Sequence, residues 1–171
     1  MSLIRLLYTS TLVDELKFSR LVELADAAHA HNASCGVTGF LCYSNQRFLQ
    51  VIEGDGETVN HIYHSRIVPA SAHREPLLLH VAPIVARQFG AWFMGFANIG
   101  PSSQSLVQRY FPHGKMDAVL ITPEGALEFL RELSVRRPTR RVREVQAKSR
   151  LLASTKADQT KKASGPLSRR A

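Results

Sequence analysis

Cysteine is scarce in this chain: only Cys35 and Cys42 occur among its 171 residues. Small secreted scaffolds need more disulfides than one pair can supply, so we expect two reduced thiols that pack in the fold rather than a bridge. No apolar run approaches the roughly 18 residues of a membrane span, and the first residues lack a signal-peptide pattern. These absences indicate a soluble, cytoplasmic protein.

Motifs of catalysis and metal binding are also missing. The segment Gly54-Asp55-Gly56 lacks the third glycine and the βαβ context of a dinucleotide fingerprint, and it predicts a turn. His29 and His31 stand two residues apart, which places them on different sides of a helix and argues against a metal site shared with Cys35. No Ser-His-Asp set or paired carboxylates can be argued from the chain, and we expect no enzyme.

Excess positive charge is absent from most of the chain, although its net charge is +8. Residues 1–135 hold 10 Lys and Arg against 12 Asp and Glu, a net of −2, whereas residues 136–171 hold 12 against 2, a net of +10. The basic segment is poor in apolar residues and is predicted to be disordered. Such a tail suits attachment to nucleic acid, an anionic membrane or an acidic partner, or it is only a solvated extension.

Residues 38–54 predict two strands joined by a tight turn. Apolar, aromatic and branched residues flank the turn formers Ser44-Asn45-Gln46, which is typical of a β-hairpin. Strand alternation places Phe48, Gln50 and Ile52 on one face, which should be buried. An unpaired buried amide would cost about 1–3 kcal/mol. From this stretch alone, Gln50 is either a core residue tied to the backbone or a ligand contact.

Periodicity along the chain predicts the remaining elements. Strands are expected at 3–10, 39–43, 47–52, 76–82 and 92–97, and helices at 19–32, 57–68, 104–111 and 124–133. Ser19 is the predicted N-cap of the first helix, and Asn32 its left-handed end. This order predicts an α+β, ferredoxin-like fold, βαββαββ, with a five-stranded mixed sheet. We expect two long helices on one face and two C-terminal helices on the other.

Six short motifs follow one another over residues 3–96: Leu7-Tyr8-Thr9-Ser10, His31-Asn32, Thr38-Gly39-Phe40-Leu41, Phe48-Leu49-Gln50, Ile52-Glu53-Gly54 and Arg87-Gln88-Phe89-Gly90-Ala91-Trp92-Phe93-Met94-Gly95-Phe96. Their order and spacing resemble those of the BLUF family, blue-light sensors that use flavin. The resemblance implies a flavin, usually FAD, between the two long helices. It implies a BLUF flavin-binding domain at 1–98, a C-terminal helical cap at 99–134 and the basic tail at 135–171.

The resemblance also implies roles for individual residues. Tyr8 is the electron and proton donor, and Gln50 is the amide between Tyr8 and the N5/O4 edge of the flavin. A phenol can give up an electron with its proton, and an amide both donates and accepts hydrogen bonds. After electron and proton return, Gln50 is left rotated, tautomerised or both, which stores the signal in its hydrogen bond to flavin O4. Met94 and Trp92 would relay the rearrangement outward.

Cofactor contacts are implied by the same resemblance. Asn32 is an anchor on the polar edge of the flavin ring, and further contacts fall on Ser10, Leu24, His31, Phe48 and His73. His31 could instead only cap a helix, and Trp92 could be half-exposed packing. Where the family has an Asp-x-Arg-His run, this chain has Ala70-Ser71-Ala72-His73, which lacks the carboxylate and the guanidinium that help to hold the ribityl-phosphate part. We expect weaker flavin binding, or less preference among FAD, FMN and riboflavin.

Two hypotheses of function follow. The leading one is a short blue-light receptor that signals to a downstream effector protein, alone or as a homo-oligomer. The alternative is a ferredoxin-like binding module without a cofactor, which acts through its basic tail on nucleic acid or an acidic partner. The retained Tyr8, Asn32 and Gln50 argue against the alternative.

Overall fold

The computed structural model of the protein describes residues 2–13, 17–71 and 73–136. The strands are β1 Leu3–Leu12, β2 Thr38–Ser44, β3 Arg47–Asp55, β4 His73–Pro83 and β5 Gly95–Asn98; the helices are α1 Phe18–Ser34, α2 Gly56–Ile62, α3 Gln104–Tyr110 and α4 Pro123–Arg136. Within these ranges no helix is both long and apolar enough to cross a bilayer. The predicted basic tail lies outside the described residues beyond Arg136.

The five strands form one mixed sheet in the order β4-β1-β3-β2-β5. All neighbours are antiparallel except β2 and β5, which run parallel. The predicted ferredoxin-like order and its additional fifth strand are therefore confirmed. Since β1 and β3 lie inside the sheet, residues at their centres are shielded on both sides by neighbouring strands.

Each face of the sheet carries its own apolar core. The first core joins the sheet to α1 and α2, and its members include Leu6, Tyr8, Leu21, Ala25, Phe48, Ile52, Val59, Ile62 and Met94. The second joins the opposite face to α3 and α4, and its members include Leu7, Phe40, Cys42, Leu49, Val51, Leu106, Phe111, Phe129 and Leu130. This confirms the predicted cover of both faces. Both cysteines are free thiols.

The hairpin closes through a two-residue turn at Asn45 and Gln46, with φ of 47° and 62°. Two consecutive positive φ angles are the geometry of a type I′ turn, whose twist matches that of the flanking strands. Asparagine tolerates this region better than most residues. The turn lies where the sequence predicts it.

The boundaries of α1 differ from the prediction. The helix begins at Phe18 with Lys17 in the N-cap position and no side-chain cap, so the prediction of Ser19 as N-cap is wrong. Asn32 lies inside the helix and is buried, and the left-handed residue is Gly36, with φ of 67°. Inside the helix the Asn32 side chain donates to the Phe93 carbonyl of the loop that precedes β5, a tertiary contact that local propensity does not reveal.

The second helix changes from an α-helix to a π-helical turn after Ile62. Asp55 caps it by accepting from the backbone N–H groups of Glu57 and Thr58, and regular α-helix ends at Ile62. A π-helical turn, Tyr63–Ile67, follows, and the Val68 N–H donates to the carbonyl of Tyr63 at 2.9 Å. A 3.6-residue pattern cannot predict this wider turn.

The last strand is shorter than expected. β5 spans Gly95–Asn98, so the prediction that it begins at Trp92 is wrong. Trp92 and Met94 belong to the end of the loop between β4 and β5, in which the Trp92 carbonyl accepts from Gly39 N–H at 2.9 Å. The alternation of apolar residues starts in this loop, before the strand begins. It does so because Met94 already packs in the first core beside residues of the strands.

Candidate functional site

Tyr8 and Gln50 form a buried polar pair at the centre of the sheet. They are directly opposite in the antiparallel register of β1 and β3. The Tyr8 hydroxyl donates a hydrogen bond to Oε1 of Gln50. Tyr8 is 0 % exposed and Gln50 is 6 % exposed, so water competes little for this bond. The pair faces the core shared with α1 and α2, to which Tyr8, Phe48 and Ile52 belong.

The nitrogen of the Gln50 amide donates to a poor acceptor. Its Nε2 atom donates to the thioether of Met94 at 3.6 Å, and a thioether sulfur accepts hydrogen bonds weakly. Among the described residues, no carbonyl or carboxylate takes either amide hydrogen. Of the two interpretations of Gln50, a side chain tied to the backbone is therefore wrong. The amide is left with donor capacity for a further acceptor.

A second tyrosine completes the surroundings of the Tyr8 phenol. The Tyr63 ring, from the π-helical turn, stands edge-on to Tyr8 with 5.7 Å between ring centroids. Burial raises the pKa of Tyr8 well above that of an ordinary tyrosine, and the charge of ionised Tyr63 would raise it further. Burial also raises the pKa of Tyr63. Tyr8 is therefore held as the neutral phenol, with its proton available to Gln50.

This raised pKa predicts a loss of stability in alkali. Because Tyr8 holds its proton more tightly in the folded protein, its stabilising contribution is complete below the ordinary tyrosine pKa of about 10 and falls as pH rises above it. We expect the free energy of unfolding to fall by about 1.4 kcal/mol per pH unit more in the wild type than in Tyr8→Phe above that pH. Denaturant unfolding between about pH 9 and 11 measures the difference, and equal slopes would contradict the assignment.

Asn32 connects α1 to the same loop end as Gln50. Its Nδ2 atom donates to the Phe93 carbonyl at 2.8 Å, and Phe93 directly precedes Met94. The side chain is 3 % exposed, yet no described residue donates to its Oδ1 atom. A buried amide acceptor without a donor is costly, by about 1–3 kcal/mol. The arrangement suits a bound molecule that brings an N–H group.

Three basic residues lie near helix ends: His31 in the last turn of α1, His61 in the last turn of α2 and Arg66 in the π-helical turn that follows. Burial lowers the pKa of His31, and the positive charges of Arg66 and His61 lower it further. Arg66 and His61 are therefore near enough to act on His31. Sequence reasoning missed Arg66 and His61, because they lie in no motif that was singled out and the π-helical turn that presents Arg66 breaks the helical period.

The remaining predicted site residues vary in their placement. Phe48 is 2 % exposed and packs beside Tyr43, with ring centroids 5.3 Å apart, and buried Ser10 lies opposite it in the register of β1 and β3. Leu24 and Trp92 are half-buried, and Trp92 is not part of the first core. His73 begins β4, and only its backbone is described.

The polar groups around Gln50 fit one edge of a flavin. An isoalloxazine edge presents the acceptors N5 and O4 beside the donor N3–H. Gln50 has donor capacity to spare, and the Asn32 carbonyl lacks a donor. Both amides are attached to the loop end at Phe93 and Met94, so they share one support. The structure thus brings together Tyr8, Gln50, Met94 and Asn32 at one loop end.

Comparisons with known proteins agree with this geometry. The family model described as sensors of blue-light using FAD matches residues 3–95. The beta subunit of the photoactivated adenylate cyclase of Euglena longa is 35 % identical over 97 residues, 56 % of this chain and 11 % of that protein. The blue light- and temperature-regulated antirepressor BluF of Escherichia coli K12 is 29 % identical over 128 residues, 74 % of this chain and 31 % of that protein. The chain thus spans about a tenth to a third of these relatives.

A solved structure shows the same fold. The photo-activated state of BlsA superposes with a TM-score of 0.68 at 22 % identity, covering 77 % of this chain and 94 % of that one. The similarity extends past the family match at residue 95, since it covers more of the chain than the matched residues do.

Proposed function

The chain belongs to the BLUF family of sensors of blue light using FAD, and on that premise we propose that it is a blue-light photoreceptor that binds its flavin non-covalently between α1 and α2. The observation that carries the proposal is the buried hydrogen bond from the Tyr8 hydroxyl to Gln50 Oε1. A buried phenol joined to a buried amide with unused donors has little structural purpose, because apolar residues would fill the same space at lower cost.

Tyr8 and Gln50 would carry the photochemical step. When bound, the flavin supplies light absorption and a temporary electron acceptor. Tyr8 can release an electron together with its phenol proton, and Gln50 Oε1 is the atom placed to receive that proton. For a tautomer, Nε2 would give up one proton as Oε1 gains one, and the electron and a proton would then return from the flavin to Tyr8, so that only Gln50 is left changed. A Gln50 amide that is tautomerised in this way, or that rotates, exchanges its donor and acceptor sides. Either change alters the hydrogen bonds of Gln50 to its neighbours and stores the signal.

Asn32 would hold the polar edge of the flavin through its unused Oδ1 atom. We propose that His31, His61 and Arg66 support the more polar parts of the cofactor, since the charges of Arg66 and His61 act on His31 near the end of α1. The segment Ala70-Ser71-Ala72-His73 offers no carboxylate or guanidinium for that purpose. FAD, FMN and riboflavin therefore compete more evenly here than they would with an Asp-x-Arg-His run, and chromatography of the released cofactor tests this.

The signal would leave the site through Met94. This residue touches Gln50 on one side and is followed by β5, whose Ala97 packs in the second core with α3 and α4. We propose that these C-terminal helices present the output to a separate effector protein. The cyclase named in the Euglena relative lies in a protein of which this chain spans 11 %, so its activity is not carried over.

The direct test is the absorption spectrum of the purified protein in the dark and after blue light. A yellow protein whose flavin band shifts reversibly to the red on illumination supports the proposal. Colourless protein that does not take up added FAD, FMN or riboflavin would favour the binding module without a cofactor. Bound flavin with no reversible shift would refute the light-sensing role.

Met94→Ala is expected to keep the red shift but to weaken its transmission. The variant leaves the Tyr8–Gln50 bond in place and removes the thioether that contacts Gln50 at 3.6 Å. Light-minus-dark hydrogen exchange over residues 104–133 should shrink. The control is Val85→Ala in the same loop, where the side chain is fully exposed. An unchanged exchange difference in Met94→Ala would exclude this residue as the relay.

A further inference from the structure

Glu53 is a fully buried carboxylate that the photochemical step does not use. Its side chain is 0 % exposed, and it lies on β3 with Arg5 and Thr38 directly opposite on the two neighbouring strands. Strand alternation directs Glu53 away from the face that carries Gln50. Arg5 contacts its Oε1 atom through Nε and Nη2, both at 2.7 Å.

The rest of the Glu53 carboxylate holds the loop between β4 and β5. Oε1 accepts from the backbone N–H of Gln88 at 3.2 Å, and Oε2 accepts from that of Phe89 at 2.9 Å. Hydrogen bonds to an ionised group are about twice as strong as neutral ones. Both carboxylate oxygens thus hold a loop that lies 35 to 36 residues beyond Glu53 in the chain.

Arg87 also attaches the loop to β3, through the backbone carbonyl of Glu53 rather than through its carboxylate. Its Nη1 atom donates to the Glu53 carbonyl at 3.2 Å and to the Thr38 hydroxyl at 3.1 Å. Phe89 then packs against Phe40 in the second core, with ring centroids 6.2 Å apart. Three consecutive loop residues are therefore bound to the central strand on the face of the C-terminal helices.

The loop crosses to the other face within five residues of Phe89. There the Phe93 carbonyl accepts from Asn32, and Met94 contacts Gln50. One face of the sheet carries the bonds of this loop to the Glu53 carboxylate, and the opposite face carries its bonds to the side-chain amides of Asn32 and Gln50. In the described part of the chain, no other segment makes both sets of bonds. Glu53 therefore anchors one end of the loop and the two site amides contact the other end, with the bond from Gly39 N–H to the Trp92 carbonyl between them.

Resting on the proposed function, we propose that Glu53 is a positioning residue for the photoreaction. By binding the amides of Gln88 and Phe89, it places Phe93 and Met94 against Asn32 and Gln50. It thereby sets the balance between the dark and lit hydrogen-bond arrangements without touching the flavin.

Glu53→Gln tests the proposal at nearly constant volume. An amide NH₂ cannot accept from a backbone N–H, so at least one loop bond is lost while the other oxygen still accepts. We expect the dark recovery rate of the red-shifted state to change by about fivefold, which lies within the range of couplings found along packed networks. Met94→Ala should change the rate in the same direction, and the double variant should differ from Met94→Ala by less than about twofold.

Arg5→Lys is the matched control, because Arg5 contacts Glu53 but not the loop. Its recovery rate should stay within about twofold of the wild type. A Glu53→Gln protein with a lower melting temperature and wild-type recovery would reduce Glu53 to a structural role and overturn the proposal. The proposal would also be overturned if the change in recovery rate of the Glu53→Gln, Met94→Ala double variant equalled the product of the two single changes. Glu53 would then act by a route other than Met94.

Thr38→Val covers the case in which Glu53→Gln does not fold. It removes a hydroxyl that accepts from Arg87 at 3.1 Å and donates to the Glu53 carbonyl at 3.5 Å, and it leaves the Glu53 carboxylate in place. The recovery rate should change in the same direction by a smaller factor. Wild-type recovery in Thr38→Val, with Glu53→Gln unfolded, overturns the proposal. A wild-type protein that shows no red shift refutes the proposed function itself, whereas a normal wild-type shift with unaffected variants refutes only this inference.

Discussion

Tyr8→Phe and Gln50→Ala are each expected to retain bound flavin and to abolish its light-induced red shift. Tyr8→Phe keeps the ring that packs edge-on against Tyr63 and removes only the hydroxyl that donates to Gln50. Gln50→Ala removes the amide that accepts from Tyr8 and that we propose joins the phenol to the flavin. Each variant breaks one link between the donor and the flavin, and neither removes Asn32, which we propose holds the ring.

The measurement is the difference spectrum before and after blue light at equal flavin content. Tyr110→Phe is the matched control, since its hydroxyl donates to Glu132 at 2.6 Å in the C-terminal helices, far from Gln50 in the sequence and on the other face of the sheet. It makes the same chemical change and should leave the shift intact. A reversible shift of normal size in Tyr8→Phe or Gln50→Ala would falsify the assigned mechanism.

Gly39→Ala is expected to cause a large loss of stability. A Cβ atom at this position would lie 2.2 Å from the backbone oxygen of Val51 and 3.2 Å from Cα of Ile52. These are backbone atoms of the central hairpin, which cannot move without breaking the pairing of β2 with β3. We expect the substitution to cost more than about 4 kcal/mol, the size reached only by severe mechanisms of this kind.

Chemical denaturation of the flavin-bound protein would measure this loss. Gly100→Ala is the control, because the backbone there has φ of −122° and nothing lies within 4 Å of the added Cβ. It should change the free energy of unfolding by less than about 1 kcal/mol. A Gly39→Ala protein as stable as the control would mean that the two strands can separate at this point without loss.

The hairpin and its central face could be predicted from the sequence because the signals are local. The turn formers Ser44-Asn45-Gln46 between apolar strands predict the turn, and the structure closes it at Asn45 and Gln46. Strand alternation then sets which side chains share a face, as it does for Phe48, Gln50 and Ile52. The resemblance implies that Tyr8 meets Gln50, and the two residues are directly opposite in the register of β1 and β3.

The loop before β5 shows where local signals mislead. Apolar residues alternate from Trp92 onward as they would in a strand, but β5 begins at Gly95. A Cβ at Gly95 would lie 2.4 Å from Cδ2 of Phe40, so this glycine lets the chain approach β2 closely. The contact partner lies more than fifty residues away, and no pattern within the loop can reveal it.

By itself, the sequence determined the order of the elements, the hairpin and the face on which Tyr8 and Gln50 meet, because turn chemistry and side-chain period act over a few residues. Only the tertiary structure decided which acceptor the Gln50 amide meets, where α1 ends and what Glu53 binds. Those outcomes depend on Met94, Phe93 and the amides of Gln88 and Phe89, which are brought to the sheet by a loop distant in sequence. Burying a polar group requires a partner, and the folded chain rather than the local sequence supplies it.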